Sequence, residues 1–145
     1  MNNYISVIVT AYNRKEFLLE ALKSTVNQTL DRKHYEIILI KNFRDDSIDK
    51  YTEENNIKNI IMDGTVGEFL NAAIIKSQGN IISFLDDDDL FAKYKLEYVY
   101  NLFNNSDNLV YYHNNFIPIN KNGNEIDFKN NGIVLSLKFF TTIIS

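Results

Sequence analysis

The feature that most constrains the fold is an alternation of short apolar segments with segments of helical periodicity. The segment Tyr4 to Thr10, YISVIVT, is β-branched and apolar on both faces, which is typical of a strand buried in a parallel sheet. Apolar residues then recur at helical spacing from Phe17 to Thr25. The same cycle returns later, so strands that alternate with helices predict an α/β fold with a largely parallel sheet. Further strands are expected at Tyr35 to Ile40, Asn59 to Met62, Asn80 to Leu85 and Asn108 to His113.

Short polar patterns predict where the helices begin and end. Asn13 with Glu16 has the spacing of an N-cap before the first helix, and Thr65 with Glu68 forms a capping-box pattern before a later one. Gly79 is expected to end that later helix, because glycine is common just past a helix C-terminus.

The charges of the chain are unevenly distributed. There are 15 Lys and Arg against 19 Asp and Glu, and setting aside Asp86 to Asp89 leaves 15 of each sign. A neutral remainder without a basic face argues against nucleic-acid or anionic-membrane partners. The absence of cysteine excludes disulfides and Cys-ligated zinc, and no apolar stretch approaches the ~20 residues of a membrane span. We therefore expect a cytoplasmic protein with no indicated membrane association.

The acidic run directly follows a strand that is expected to be buried, in the segment IISFLDDDDLF. Adjacent carboxylates repel by up to about 4 kcal/mol at ~4 Å and an effective dielectric near ~20, so a cation or hydrogen-bond donors should lie beside them. Carboxylate oxygens suit Mg²⁺ or Mn²⁺, which commonly share their coordination with substrate phosphates. The alternative is that some of these residues cap the following helix, with Asp89 nearest to it.

Polar segments follow three of the predicted strands: TAYNR, KNFRDD and DDDD. Because the sheet is expected to be parallel, these segments should converge on one edge, and ligands of open α/β sheets bind at this carboxyl end of the strands. Tyr12 and Asn13 alone are also consistent with a core aromatic and a helix cap. Their combination with an acidic cluster at the same edge favours a functional interpretation.

Two blocks of the sequence resemble the family 2 glycosyltransferases of the GT-A fold. ISVIVTAYNRKEFLLEALKSTVNQTL is similar to the family's first strand, nucleotide loop and first helix, and NAAIIKSQGNIISFLDDDDLFAKYKLE is similar to the block that ends in its DXD-type motif. The resemblance covers Ile5 to about Asp127. It implies a Rossmann-like, mostly parallel sheet with helices on both faces. It also implies transfer of a sugar from a nucleotide-diphospho-sugar to an acceptor, with inversion at the anomeric carbon.

The resemblance further implies a set of site residues. Asp88 and Asp86 would bind a divalent metal, Mn²⁺ or Mg²⁺, which would neutralise charge on the departing diphosphate. Asp89 is expected to start the following helix. The residues implied to contact the nucleotide sugar are Thr10, Ala11, Tyr12, Asn13, Asn42, Asn71, Asp86 and Asp87.

Three positions depart from the family pattern. Lys41 stands where the family usually has an Asp that accepts a hydrogen bond from the base, and lysine offers donors but no acceptor. The sequence therefore leaves two interpretations of Lys41 open: the nucleotide carries a base other than uracil, or the chain follows a different local path. Ala73 replaces a usual glycine and Lys93 a usual proline.

No residue is assigned as the catalytic base. In the family this base comes from a segment many tens of residues beyond the acidic run, whereas this chain ends at Ser145 after an apolar run. We expect residues 1–113 to form the nucleotide-sugar-binding part and residues 114–145 to begin an acceptor-side region of the same domain, in a chain cut short of its complete domain. A hairpin is expected to turn at Asn122 and Gly123. The later titratable residues are Asp107, His113, Glu125 and Asp127.

Two other functions stay open from the sequence. The first is a non-catalytic module that uses the same fold to bind a nucleotide sugar or to assemble with a partner. The second is a different Mg²⁺-dependent nucleotide enzyme, against which the absence of GxxxxGK[ST] and GxGxxG patterns counts. The sugar, the acceptor and the oligomeric state are not specified by any pattern in the chain.

Overall fold

The computed structural model describes residues 3–106 and 108–126, and the chain divides into two compact units, Met1–Asn105 and Ser106–Ser145. The first unit contains four strands and four α-helices in alternation, as the sequence predicts. A short 3₁₀ turn at Arg32–His34 precedes the second strand. The elements are β1 Ile5–Ala11, α1 Leu18–Val26, β2 Tyr35–Lys41, α2 Asp46–Glu54, β3 Lys58–Ile61, α3 Val66–Ile75, β4 Ile81–Asp86 and α4 Lys95–Asn104.

The four strands form one parallel sheet in the order β3-β2-β1-β4. Strand β1 is central, and Ile5 pairs with both Tyr35 of β2 and Ile81 of β4. All seven residues of β1 are buried, because both of its edges and both of its faces are covered. The predicted parallel α/β sheet is confirmed.

Helices cover both faces of this sheet. The Tyr35 hydroxyl lies 3.1 Å from the carbonyl oxygen of Thr25, so α1 packs on one face. Successive strand residues point to opposite faces, and on the other face Ile38 belongs to an apolar cluster with Phe69 and Ala73 of α3. The two-sided arrangement implied by the family resemblance is therefore present.

Two predictions about helix ends are wrong and one is confirmed. Helix α1 begins at Leu18 without a side-chain cap, and Asn13 instead has a left-handed backbone with φ of 55°. Thr65 and Glu68 form the predicted capping box of α3. Helix α3 ends at Ile75, before Gly79.

Gly79 is required by close packing and not by helix termination. A Cβ atom at this position would lie 2.6 Å from both the Ser6 amide nitrogen and the Tyr4 carbonyl oxygen of the neighbouring chain segment. Glycine therefore allows the segment before β4 to approach the start of β1 closely.

The second unit is described for residues 106 and 108–126. The prediction of a fifth strand at Asn108 to His113 is wrong, since these residues adopt no strand pairing. An apolar pattern alone does not make a strand, because the backbone also needs a partner for its hydrogen bonds. The turn at Gly123, where φ is 78°, is confirmed by an antiparallel bridge between Ile119 and Glu125. The expected boundary after residue 113 stays a prediction.

Candidate functional site

The carboxyl ends of three neighbouring strands carry the polar segments singled out in the sequence. Ala11, near the end of β1, pairs with Lys41 at the end of β2, and Thr10 pairs with Asp86 at the end of β4. The parallel register therefore brings the loops after β1, β2 and β4 to one edge of the sheet, as expected. This edge is the usual place for a ligand in an open α/β sheet.

The loops after β1 and β2 are joined by a pair of asparagines. The backbone N–H of Asn13 donates to Asn42 Oδ1 at 2.9 Å, and the Asn42 amide donates to Asn13 Oδ1 at 2.7 Å. Asparagine tolerates the left-handed backbone of Asn13 better than most residues, and this conformation permits the reciprocal contact. Two predicted nucleotide-contacting residues therefore lie side by side.

The loop after β1 is joined to the acidic run by Arg14. Its Nε donates to Asp87 Oδ2 at 3.0 Å and its Nη2 donates to Asp87 Oδ1 at 2.5 Å, a bidentate pair. The same Nη2 also lies 2.9 Å from Asp88 Oδ2. The hydrogen bond to Asp87 raises the pKa of Arg14 above its usual range.

Arg14 was absent from the residues predicted for the site. Its sequence signal was its place in TAYNR, a basic residue in a loop expected to face four carboxylates. The positive charge expected beside the acidic run is thus supplied in part by the protein itself. Asp87 is buried against this guanidinium, whereas the side chain of Asp88 is 42% exposed.

The other two acidic residues of the run, Asp86 and Asp89, are exposed at the sheet edge. Partial desolvation of the Asp89 carboxyl by neighbouring atoms, and then the charges of Asp88 and Asp86, raise its pKa. The Asp89 N–H donates to the Asp86 carbonyl at 3.2 Å, which closes a turn. Helix α4 begins only at Lys95, so the interpretation of the run as helix caps, including Asp89 as a helix start, is wrong.

The segment between the acidic run and α4 is held by Ser24 in the last turn of α1 and by Gln28 just after that helix. Ser24 Oγ accepts from the Phe91 N–H at 3.0 Å, and the Gln28 amide donates to the Ala92 carbonyl at 3.0 Å and accepts from the Leu96 N–H at 2.9 Å. These contacts explain why no helix starts at Asp89. Sequence reasoning gave Gln28 no role, although it lies in the NQT end of the first family block.

An open cavity of about 560 Å³ lies along this contact between α1 and residues 91–93. None of the residues predicted for the site lines it, so its position does not support a ligand site there. Its lining residues are Ser24, Val26, Asn27, Gln28, Phe91 and Lys93.

Lys41 is directed into the protein and away from any ligand. Its side chain is fully buried, and its Nζ lies 2.8 Å from Asp49 Oδ1 and donates to the Phe43 carbonyl at 2.6 Å. Burial acts to raise the pKa of Asp49, but hydrogen bonds from Lys41 and Asn59 outweigh it and leave the pKa below its usual value. Lys41, at the position where the family resemblance implies a contact with the base, is therefore part of an internal ion pair.

The other predicted residues are placed unequally. Tyr12 is 46% exposed, and its ring centroid lies 5.9 Å from that of Phe69. Asn71 is exposed on α3, whose Phe69 and Ala73 face the sheet. Within the described residues, no other candidate hydrogen-bonds to Asn71.

A comparison with known protein families decides the family. The sequence profile described as "Glycosyl transferase family 2" matches residues 6–142. This chain belongs to glycosyl transferase family 2. Membership of this family relates the chain to enzymes. The fold of the chain is the GT-A fold.

The curated relatives of this family 2 chain are longer proteins. It is 33% identical over 135 residues to an uncharacterized glycosyltransferase of Rickettsia conorii, covering 89% of this chain and 22% of that protein. It is 34% identical over 105 residues to the poly(ribitol-phosphate) beta-glucosyltransferase of Bacillus spizizenii, covering 67% of this chain and 17% of that one. The chain thus spans about a fifth of the length of these relatives.

Solved structures of other glycosyltransferases share the fold. S. aureus TarS 1-349 matches with a TM-score of 0.63 and 25% identity over 70% of this chain and 32% of that one. The mannosyltransferase PcManGT from Pyrobaculum calidifontis matches with a TM-score of 0.54 and 20% identity over 63% of this chain and 29% of that one.

The exposed carboxylates of this family 2 chain suit a divalent metal that completes its coordination with waters or with the phosphates of a ligand. Over residues 3–106 and 108–126 no group of three or more His, Cys, Asp or Glu residues is arranged to hold a metal. Mg²⁺ and Mn²⁺ are commonly held by one or two carboxylates plus substrate phosphates, and the exposed Asp86 and Asp88 meet that requirement. Asp87 is engaged by Arg14.

Across residues 3–106 and 108–126, no helix is long and apolar enough to cross a membrane.

Proposed function

We propose that this chain is the donor-binding part of an inverting, metal-assisted glycosyltransferase. It would bind a nucleotide-diphospho-sugar at the carboxyl edge of the sheet, and the longer protein would transfer the sugar to an acceptor. The observation that carries the proposal is the convergence of the loops after β1, β2 and β4 through the contacts Asn13 to Asn42 and Arg14 to Asp87. A cytoplasmic location stays a prediction from the sequence.

The proposed roles follow the position of each side chain. Thr10 and Ala11 are the buried last residues of β1, and Tyr12 and Asn13 begin the loop after it, where the base and ribose would lie. Tyr12 is 46% exposed, so its ring could stack on a base. Asn42 would contact the nucleotide from the next loop, and Asn71 would lie near the donor. Asp86 and Asp87 would face the ribose or sugar.

Asp88, with Asp86, would hold the divalent metal beside the diphosphate. When bound, the metal supplies electrostatic stabilisation of the negative leaving group. The chain's own contribution is positional, since Arg14 orients the buried Asp87 and the asparagine pair holds the two nucleotide loops in register. The residue that deprotonates the acceptor stays unassigned. His113 and Glu125 are the later candidates in the described part, and Asp107 and Asp127 lie outside it.

The identity of the base is left open by the residues present. Lys41 is held by Asp49, so the carboxylate contact expected for uracil is absent at that position. Related structures have been solved with nucleotides of different bases, TarS 1-349 with UDP and with UDP-GlcNAc, and PcManGT with GDP-Man and Mn²⁺. A panel of bases is therefore the appropriate probe.

Calorimetric titration of the chain with UDP, GDP and dTDP sugars, with and without Mn²⁺, tests the proposal. We expect Mn²⁺-dependent binding of at least one donor, and we expect Asp88→Asn to abolish the Mn²⁺ dependence. Asp63→Asn is the matched control, because Asp63 is exposed and outside the site. A folded chain that binds no member of the panel would contradict the proposal.

The alternative function is a non-catalytic module of the same fold. It predicts the same donor binding without turnover, because the described residues offer no assigned base. Release of nucleoside diphosphate from the donor identified by calorimetry, measured with the longer protein and candidate acceptors, separates the two functions.

A further inference from the structure

Arg14 holds the two middle carboxylates of the acidic run unequally. Asp87 receives two hydrogen bonds, from Nε and Nη2, and its side chain is 9% exposed. Asp88 receives a single contact at 2.9 Å from the same Nη2, and its side chain is 42% exposed. A bidentate, buried ion pair is stronger and more directional than a single exposed contact.

Because of this difference, the contact of Arg14 with Asp88 is easier to break than its contact with Asp87. Rotation of the exposed Asp88 carboxylate would break one contact, whereas release of Asp87 would leave a buried carboxylate without its two donors. Half of the Arg14 side chain, 49%, is also exposed, so solvent can replace the lost contact.

We propose that Arg14 is an internal counter-cation of the acidic run. In the free protein the Arg14 guanidinium contacts the Asp88 carboxylate. A divalent metal displaces it from Asp88, while its bidentate contact with Asp87 persists. This inference rests on the proposed function, in which Asp88 binds the metal. Arg14 is therefore a positioning residue for Asp87 and a competitor of the metal at Asp88.

A consequence is that metal binding is weakened when no nucleotide is present. The guanidinium already neutralises part of the negative charge that would attract the metal, and its Nη2 lies 2.9 Å from one of the two Asp88 carboxylate oxygens, Oδ2. The phosphates of a nucleotide add charge that the metal can use, so the competition matters most for the metal alone.

Mn²⁺ binding by the full chain without nucleotide, measured from the electron paramagnetic resonance signal of free Mn²⁺, tests the competition. We expect Arg14→Gln to bind Mn²⁺ about three- to fivefold more tightly than the unmodified chain, as loss of one exposed ion pair predicts. Arg14→Lys keeps the competing charge and is expected to bind like the unmodified chain.

Lys15→Gln is the matched control for the loss of one positive charge. Lys15 adjoins Arg14 but pairs with Asp45 at 2.6 Å and not with the acidic run, so its removal should leave Mn²⁺ affinity nearly unchanged. Asp88→Asn in the Arg14→Gln background should abolish the gain. A folded Arg14→Gln variant with unchanged or weaker affinity would overturn the inference and leave metal binding itself intact.

A measurement on the unmodified chain covers the case in which Arg14→Gln does not fold. In ¹⁵N-detected spectra of the arginine side chains during a Mg²⁺ titration, we expect the Arg14 Nη signals to change and the Nε–H signal to persist. Unchanged Nη signals at saturating Mg²⁺ would refute displacement from Asp88. If no variant binds Mn²⁺ without nucleotide but Mn²⁺ binds when nucleotide is present, the inference alone is refuted. Absence of Mn²⁺ binding both with and without nucleotide would refute the proposed function together with this inference.

Discussion

At the scale of single residues, the ammonium group of Lys41 is buried at the carboxyl end of β2. Its partners are the Asp49 carboxylate and the Phe43 carbonyl, and the Asn59 amide donates to the same Asp49 oxygen at 2.7 Å. A buried charge is tolerated only when such partners replace its lost hydration. The network therefore joins β2, α2 and β3 and withdraws Lys41 from the ligand edge.

The Lys41 and Asp49 pair predicts an asymmetric response to mutation. Asp49→Asn leaves the fully buried ammonium of Lys41 without its counter-charge, and we expect a loss of about 2 to 3 kcal/mol in the free energy of unfolding. This loss is smaller than the ~3–5 kcal/mol expected for breaking a fully buried pair, because Asp49 is 29% exposed. Lys41→Met should cost less, because water can reach Asp49. Urea unfolding of both variants and of the double variant measures the difference.

The same pair predicts a pH dependence. The pKa of Asp49 is lower in the folded chain than its usual value of 3.8. The ionised carboxylate therefore stabilises the fold at a pH above that usual pKa. This stabilisation is lost as the pH falls through the pKa of the folded chain. The Lys41→Met and Asp49→Asn double variant should therefore lose less stability between about pH 5 and pH 3. An equal loss in both proteins would contradict this assignment.

At the scale of elements, the register of β1 against the segment before β4 depends on Gly79. Gly79→Ala places a Cβ 2.6 Å from backbone atoms of Tyr4 and Ser6, which cannot rotate away, so we expect a loss of about 1 to 3 kcal/mol in thermal or urea unfolding. Gly67→Ala in α3 is the matched control. Its nearest contact would be 3.9 Å away, and alanine favours the helix, so the change should be neutral or stabilising by up to about 1 kcal/mol.

The contact between α1 and the start of α4 depends on Gln28. Gln28→Ala removes the acceptor of the Leu96 N–H and the donor to the Ala92 carbonyl, and we expect a loss of about 1 to 3 kcal/mol. Amide hydrogen exchange should accelerate most at Leu96. Asn27→Ala, a substitution of an exposed neighbour, should leave the exchange of Leu96 unchanged.

At the scale of the whole molecule, the net charge of -4 equals the charge of the four consecutive aspartates, which lie at one edge of the sheet. We expect Mn²⁺ or Mg²⁺ at about 100 times the dissociation constant to raise the free energy of unfolding by about 2.7 kcal/mol, as binding to the folded state alone requires. Asp88→Asn should remove this effect. NaCl at equal ionic strength is the control, and an equal stabilisation by NaCl would indicate simple screening.

Much of the fold could be predicted because its signals are local or periodic. The apolar run of β1, the capping box at Thr65 and the turn at Gly123 are each specified by residues a few positions apart. The strand order also brought the polar segments after β1, β2 and β4 to one edge. The family resemblance supplied the remaining expectations about the site, whose roles are still proposals.

Apart from the fifth strand, the failed predictions concern residues whose local pattern permits two uses. Asn13 has the spacing of a helix cap but bonds to Asn42, and Gly79 follows a helix but is needed for close packing against β1. Asp89 precedes a helical pattern, yet Ser24 and Gln28 hold the intervening segment outside the helix. In each case a partner distant in the chain decided between the two uses.

The sequence by itself determined the alternation of strands and helices, the parallel sheet and the place of the acidic run, because hydrophobic periodicity and backbone hydrogen bonding act over short segments. Only the tertiary structure decided which side chains meet at the end of the sheet. Arg14 and Asp87 are 73 positions apart, and Lys41 turns inward because Asp49 lies within reach. Such pairings depend on strand register and helix placement, which bring distant charges together and bury one member of each pair, Asp87 or Lys41.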